Sequence, residues 1–498
     1  MNASDPRLGL RLLLTLLFGS GLLSACHEHC NTEVCDIHDR DCQQRLMNMA
    51  VCLHGGKART LEVHFSSTSK LAEQVQTAPS ERVLERRNIR ARAYALLGLE
   101  RLAKPDEVAQ AFAATVGAYY DPTTDDVTVV SDTSKLANLS SDALLVHEFT
   151  HALQEQIVPS AQRPRPATFD EALAQSAVIE GDAALTEDRA VTLFTGFGQD
   201  DIDWEGLYEH WSHDADGAYP LQALPVTLAQ RSFVYAHGAH YVNGVRHAEG
   251  QAAVNRLLRY PPSQTSTFFF GAGEGGGPHG SFDTEPEADC EQLEAGVLEV
   301  NNADAGGDTE TGDAGLDAGV RNSSPIDPSL CRSKRHWDSV SVPLLRGWHL
   351  FDVDALGYFV MRGLFERLAS EQRRAMPDMT GEDAVDALSI WTDPQSGAVT
   401  AALRIRYEFW ANPKPFKTLL EHNQIRLGAR HVFKGSTDIL VLASEDEAWL
   451  ESLDVHTLQW LDIDPTRVNT NEEEAGGSDA DASGIIPSGL PHHGGWVR

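Results

Sequence analysis

The stretch His147-Glu148-Phe149-Thr150-His151 constrains this chain more than any other part of it. An α-helix advances about 100° per residue, so the two histidines lie on one face, a turn apart, and can bind a single metal ion. Glu148 lies beside them, where it can take a proton from a water molecule on the same ion. The pattern therefore predicts two metal ligands and a general base on one helix.

The sequence on both sides of this motif favours a buried helix. Ser141 and Asp142 can cap its start, and four apolar residues follow them. Further apolar residues continue the buried side until Pro159 ends the helix. Two buried histidines and a glutamate need polar partners if no metal ion is present. A pair of hydrogen-bonded core histidines is therefore the alternative interpretation.

A third metal ligand is expected from Glu180, which lies in a second predicted helix over residues 168–194. A carboxylate flanked by Ile179, Gly181 and Ala183 is costly to bury unpaired, and a metal ion removes that cost. The small residues around it also let two helices approach each other closely. Glu180 can then join the histidine pair from the neighbouring helix.

Other acidic residues near Glu180 leave alternatives open. Asp182 competes for the role of third ligand, and a capped or ion-paired Glu180 would need no metal. Glu187 and Asp188 are expected on a solvated face. Thr168 or Asp170 is expected to cap the start of this helix.

With these residues, the chain resembles the gluzincin type of zinc metallopeptidase, in which a Glu on a following helix completes a His-Glu-x-x-His site. More narrowly, it resembles a group of uncharacterised bacterial HExxH proteins that are secreted or lipid-anchored. The shared segments are residues 117–122, 147–156, 180–183, 233–238, 260–263 and 356–359. The similarity runs through most of residues 60–460.

The resemblance implies a Zn²⁺ ion held by His147, His151 and Glu180, with Glu148 as the general base. It implies a zinc-dependent metalloendopeptidase, a hydrolase that cleaves the peptide bonds of a protein or peptide substrate. The alternative from another class is a catalytically inactive, metal-stabilised binding protein of the cell envelope. A hydrolase of a non-peptide amide or ester is a third interpretation.

The resemblance also places a later predicted helix near the site. On that helix, Tyr235 and His237 are candidate catalytic donors to the charged intermediate, and His240 is a weaker one. Core packing or a surface role is the alternative for each. The chain departs from the thermolysin type four residues beyond Glu180, where Ala184 replaces an Asp that orients a ligand histidine. Any acceptor for that histidine must come from elsewhere.

The amino terminus predicts export. Arg7 and Arg11 precede an apolar run over residues 12–23, which is too short to span a bilayer comfortably. The sequence Leu-Ser-Ala-Cys at 23–26 resembles a bacterial lipobox, which implies a signal peptide over residues 1–25 and lipidation of Cys26. We therefore expect a lipid-anchored protein of the bacterial cell envelope, periplasmic or on the outer surface. An ordinary secretory signal or an uncleaved anchor is the alternative.

The remaining cysteines predict disulfide bonds, because thiols oxidise outside the cytoplasm. Spacing favours two bonds among the first four cysteines and a third between Cys290 and Cys331. A small zinc site with nearby histidines is the alternative. The six residues are Cys30, Cys35, Cys42, Cys52, Cys290 and Cys331.

The net charge of −33 is concentrated in two acidic stretches. Residues 271–320 contain no Lys or Arg, and the tail after 468 is similarly acidic, so both are predicted to be disordered. The acidic balance argues against a nucleic-acid partner. Calcium binding by the insert or by residues 214–217 finds little support, because neither has the ligand series of an EF-hand.

The predicted fold class is α+β, with a mainly helical, zincin-like catalytic domain and a smaller α+β portion after the insert. Strands are expected at 126–130, 401–409 and 437–443, and helices at 84–102, 142–158, 168–194, 233–241, 252–259 and 354–369. The oligomeric state is not fixed by these patterns. The expected divisions are 1–25 signal peptide, 26–60 Cys-rich segment, 61–270 catalytic domain, 271–335 acidic insert, 336–465 C-terminal portion and 466–498 acidic tail.

Overall fold

The computed structural model describes most of residues 30–270 and 340–463. Gaps in these ranges fall at 31–32, 78–80, 100–101, 103, 115, 131–137, 167, 222–232, 372–383, 408–428, 435–437 and 454–457. The expected signal peptide, Cys26, the acidic insert 271–335, the Cys290–Cys331 bond and the tail 466–498 lie outside the described residues.

Helices and strands occur together, which confirms the α+β class. The helices are α1 Arg40–His54, α2 Thr68–Thr77, α3 Glu81–Leu96, α4 Pro105–Ala113, α5 Asn138–Ile157, α6 Phe169–Phe194, α7 Trp204–Leu221, a π-helix Phe233–His237, α8 Gly238–Glu249, α9 Gln251–Arg259, α10 Thr267–Phe270, α11 Gly357–Glu371 and α12 Glu447–Ser452. The strands are β1 Glu62–Ser66, β2 Ala118–Asp121, β3 Asp126–Val130, β4 Val340–Pro343, β5 His349–Asp354, β6 Ala384–Thr392, β7 Val399–Tyr407, β8 Ala429–Lys434, β9 Asp438–Ser444 and β10 Trp460–Ile463. Among the helices of the described ranges, none is both long and apolar enough to cross a membrane.

Helix α5, which carries the His-Glu-x-x-His motif, is buried on every side. Every residue from Ser141 to Gln154 is buried, as expected for a helix that is apolar around most of its circumference. Helix α6 packs along one side of α5, and α1 packs along another. The Cys-rich segment shares the core of α5, because Leu46 and Met47 of α1 cluster with Leu145 and Phe149.

A small three-stranded sheet lies against α5, with strand order β1-β3-β2. Strands β1 and β3 are parallel, whereas β2 and β3 form an antiparallel pair in which Tyr120 lies opposite Val127. Val130 donates its N–H to the carbonyl of Gly117 at 2.7 Å. Because hydrogen-bonded and non-hydrogen-bonded pairs alternate along an antiparallel ladder, the N–H and C=O of Tyr120 point away from β3. They face the edge of the sheet where no strand of the described residues pairs.

The C-terminal portion contains a five-stranded antiparallel sheet of order β5-β6-β7-β9-β8. Strands β10 and β4 form a separate antiparallel pair. The larger sheet shares one continuous core with the helical half, since Leu388 and Ile405 cluster with Phe233 and Leu257. The sheet therefore supports the helices that carry the metal-ligand candidates.

Three buried aspartates join the two halves of the fold, and we call Asp170, Asp354 and Asp386 the aspartate cluster. Asp170 of α6 accepts the N–H (3.0 Å) and hydroxyl (2.6 Å) of Thr265. Asp354 accepts the N–H of Phe169 at 2.6 Å, and Asp386 accepts two backbone N–H groups at the start of α11. Gly357 has a φ of +79° there, and a Cβ would lie 1.7 Å from Asp170 Oδ1, so only glycine fits.

The aspartate cluster predicts a loss of stability as the pH rises. Burial raises the pKa of Asp170 to about 7 and that of Asp354 and Asp386 to about 6. Because an unfolded Asp titrates near about 3.9, the stabilising contribution is complete below that pH and is lost as the pH rises through about 6 to 7. Asp170→Asn stays neutral at every pH, so it escapes this loss. We expect the unfolding free energy of the variant minus that of wild type to rise by about 2 kcal/mol from pH 5 to pH 8. Denaturant titrations at both pH values measure this difference, and a constant difference would contradict the prediction.

Candidate metal centre

Three predicted ligands converge at the contact between α5 and α6. His147 Nε2 lies 3.1 Å from His151 Nε2 and 3.3 Å from Glu180 Oε2, and His151 Nε2 lies 3.5 Å from the same oxygen. All three residues are buried. The three donor atoms thus form a nearly equilateral triangle whose members come from two neighbouring helices.

The size of this triangle matches a tetrahedral metal site. Donors held about 2.0 to 2.1 Å from a zinc ion at tetrahedral angles are separated by about 3.3 Å. Burial alone would raise the pKa of Glu180, but the neighbouring His151 and His147 outweigh it and lower that pKa to about 2. The carboxylate is therefore ionised. Two imidazoles and one carboxylate form a donor set that fits zinc.

The other ring nitrogen of His147 faces a second carboxylate. His147 Nδ1 lies 3.1 Å from Glu187 Oε2. An N–H at Nδ1 leaves the lone pair of Nε2 directed at the ligand triangle. Although burial opposes the charged imidazole, Glu180 and Glu187 raise the pKa of His147 well above its usual value. The pocket therefore attracts a cation, either a proton or a metal ion.

The prediction of a solvated face at Glu187 and Asp188 is wrong. Glu187 is only 8% exposed, and Asp188 accepts the hydroxyl of the buried Tyr208 at 2.9 Å. Glu187 lies seven residues after Glu180, about two helical turns, so both side chains lie on the enclosed face of α6. Glu187 is therefore the hydrogen-bond acceptor for His147 Nδ1, a role that Ala184 has no side chain to fill.

His151 is oriented by an amide instead of a carboxylate. Its Nδ1 lies 2.9 Å from Oε1 of Gln154, one turn further along α5. The amide of Gln154 donates to the carbonyl of Ile179 and to Asp182 Oδ2, each at 2.9 Å. Both of those partners only accept, so Oε1 must face His151. His151 therefore also carries its proton on Nδ1 and directs Nε2 at the triangle. Asp182 lies in this network and does not join the ligand group.

Glu148 is fully buried beside the ligand pair. Burial raises its pKa to about 7, while the charges of His147 and His151 oppose that shift. A backbone group of Tyr120 on β2 lies beside its carboxylate and also opposes the rise in pKa. A carboxyl group with a pKa near 7 can both accept and release a proton near neutral pH.

A glycine contact sets the distance between α6 and the start of α8. A Cβ on Gly181 would lie 2.3 Å from the backbone carbon of Gly238, and one on Gly238 would lie 2.2 Å from the carbonyl oxygen of Ala177. Backbone atoms cannot move aside as a side chain does. The two glycines therefore allow the close approach that brings the π-helix next to Glu180.

We expect Gly181→Ala to destabilise the fold by about 3 kcal/mol, the upper end for an overpacked site, and to weaken metal binding by displacing Glu180. Thermal unfolding and zinc titration measure the two effects. Gly206→Ala in α7 is the matched control. The atom nearest its added Cβ, at 2.5 Å, is the end of the Asp203 side chain, which can rotate away at a cost of about 1 kcal/mol for its bond to the Gly206 N–H. Equal effects of the two substitutions would contradict the prediction.

The π-helix brings Tyr235 to the site. Its ring centroid lies 6.1 Å from that of His147. π-Helical turns are rare and are often found at functional sites. His237 instead packs in an aromatic cluster, 4.6 Å from Phe269 between ring centroids, which matches its core-packing alternative. His240 pairs with Glu205 at 3.1 Å.

The Cys-rich segment forms the two expected bonds among its first four cysteines. They join Cys30 to Cys52 and Cys35 to Cys42. Asp142, near the start of α5, accepts the N–H of Cys35 at 2.8 Å. Because both sulfurs beside Asp142 are engaged in a disulfide, this second group of metal-ligand types has a structural explanation.

Comparisons of the chain with protein-family models, with curated proteins and with solved structures find no match.

Proposed function

We propose that the protein is a zinc-dependent peptidase of the bacterial cell envelope. The triangle of His147 Nε2, His151 Nε2 and Glu180 Oε2, with sides of 3.1 to 3.5 Å, carries this proposal. The orientation of both imidazoles through their Nδ1 atoms supports it, since ligand histidines usually donate their other N–H to a fixed acceptor.

When bound, zinc supplies a Lewis acid that polarises a substrate carbonyl and acidifies a water molecule. Glu148 takes the proton of the attacking water and returns it to the leaving amine. Its burial and its pKa of about 7 support both steps. The hydroxyl of Tyr235 is the candidate donor to the carbonyl oxygen as negative charge develops there.

The edge strand β2 supports a peptide as the substrate. Tyr120 directs its backbone N–H and C=O away from β3, at the edge where no strand of the described ranges pairs, and the N–H lies within reach of Glu148. An extended peptide can pair with such an edge through backbone hydrogen bonds. That pairing would place its carbonyl groups next to the general base.

An extracytoplasmic location is supported by the two disulfides and by the amino-terminal sequence. In this proposal lipidated Cys26 anchors the protein to the membrane, and its substrates are proteins or peptides of the envelope.

The direct test measures zinc content and peptide cleavage on the purified protein. We expect about one zinc ion per chain, cleavage of a mixed peptide library, loss of cleavage on chelation, and recovery when zinc is returned. A protein that contains no zinc after exposure to excess Zn²⁺ would overturn the proposal.

A metal-stabilised binding protein is the second candidate, and the segment after Ser263 favours it. The hydroxyl of Thr265 donates a hydrogen bond to Asp170, and Phe268 packs against Phe233 at 5.2 Å between ring centroids. These residues build the core instead of handling a substrate. Zinc without cleavage of any peptide in the library would support this candidate.

A further inference from the structure

A chain of buried hydrogen bonds runs from the ligand His151 to the disulfide-bonded amino-terminal helix α1. Gln154 accepts from His151 Nδ1 at 2.9 Å and donates to Asp182 Oδ2 at 2.9 Å. Asp182 Oδ2 in turn lies 2.7 Å from Nε2 of His54, the last residue of α1. The side chains of Asp182 and His54 are completely buried.

The direction of each hydrogen bond follows from the chemistry of the groups. The ionised Asp182 only accepts, so Gln154 Nε2 and His54 Nε2 both donate to it. Gln154 therefore keeps its oxygen toward His151. If His54 is removed, Asp182 keeps a buried carboxylate with one donor fewer, so it turns, moves or takes up a proton. Each of these changes weakens the bond from Gln154 Nε2 to Asp182 Oδ2 and so loosens the amide that orients His151.

Helix α1 is held in place close to His54. The Cys30–Cys52 disulfide closes two residues before it. Arg246 of α8 donates to the carbonyl of Leu53 at 2.6 Å. The position of His54 is therefore set by covalent and polar contacts that are separate from the ligand helices.

We propose that His54 is a positioning residue of the metal site, through which the disulfide-bonded segment 30–54 orients His151 by way of Asp182 and Gln154. This inference depends on the proposed zinc site. It makes the Cys-rich segment part of the metal centre, so that a chain whose Cys30–Cys52 bond is reduced holds zinc less tightly than the oxidised chain.

The test compares the zinc affinity of the full mature chain and its variants by competition with a chelator of known affinity. His54→Leu is expected to weaken zinc binding by about 10- to 100-fold, as for other groups that orient a metal ligand. His54→Gln places an amide N–H close to the original Nε2 position, and it is expected to stay within about threefold of wild type, well below that loss. In the Co²⁺-loaded protein, the ligand-field bands should shift in the Leu variant and be restored in the Gln variant.

Leu46→Ala is the matched control, because Leu46 is a buried core residue of α1 that takes no part in the hydrogen-bond chain. If His54→Leu does not fold, Cys30→Ser/Cys52→Ser replaces it, since this variant releases α1 and leaves His54, Asp182 and Gln154 unchanged. Wild-type zinc affinity in the folded Leu variant or in this double variant would overturn the inference. A loss of zinc affinity in Leu46→Ala equal to that in His54→Leu would also overturn it. Either result would leave the proposed function unaffected. A wild-type chain that binds no zinc would overturn both.

Discussion

Glu148→Gln is expected to keep its zinc and to lower kcat/KM for a cleaved peptide by about a hundredfold to ten-thousandfold, the range for loss of a general acid–base group. Glu148 is fully buried beside the ligands, and burial raises its pKa to about 7. Glutamine has nearly the same size but cannot take a proton from water. Zinc content and steady-state kinetics on the same preparation measure the two properties.

Glu155→Gln provides the matched control on the same helix. Glu155 accepts the N–H of Ser160 at 2.8 Å, and an amide oxygen can also accept that bond. Its activity should therefore equal that of wild type. Unchanged cleavage by Glu148→Gln would remove the assignment of Glu148 as the base. Loss of zinc together with activity would instead identify Glu148 as part of the metal-binding set.

The elements predicted most closely are those with a strong local pattern. The strand at 126–130 and the helix at 168–194 agree with β3 and α6 to within one residue at each end. Helix α1 and strand β6 are two of several elements that the sequence patterns do not predict. Helix α1 owes its position to two disulfides and to contacts with distant helices, which no local periodicity reveals. The order of the strands depends on pairings such as that of β1 with β3, which are distant in sequence.

The same distinction applies to the candidate site. Helical spacing predicts that His147 and His151 lie together. The same spacing places Gln154, three residues after His151, and Glu187, seven residues after Glu180, on the faces that carry the ligands. The sequence does not reveal that Glu187 is buried, because acidic residues on a helix usually face water. The partnership of His54 with Asp182 spans 128 residues and has no local signal. Only the packing of α1 against α5 and α6 reveals it.

Glu180→Ala is expected to weaken zinc binding by more than about 100-fold. This exceeds the loss of about 10- to 100-fold that is typical when a residue that only orients a ligand is changed. The substitution removes one of three donors and the only carboxylate in the ligand triangle. The two imidazoles that remain carry no negative charge to offset that of the ion. Zinc affinity by chelator competition, with thermal unfolding of the metal-free protein as a check on folding, measures this effect.

Glu187→Gln is the graded comparison for this prediction. Its side chain contacts the far nitrogen of His147, at 3.1 Å, and does not belong to the ligand triangle; an amide oxygen can still accept from that nitrogen. We therefore expect a loss of about tenfold or less, at the lower end of the range for such groups. If Glu180→Ala retained the affinity of wild type, the third ligand would have to be another residue. If both variants lost zinc equally, the two carboxylates would stabilise the ion only through their negative charge. The role of Glu180 as a ligand in the triangle would then be refuted.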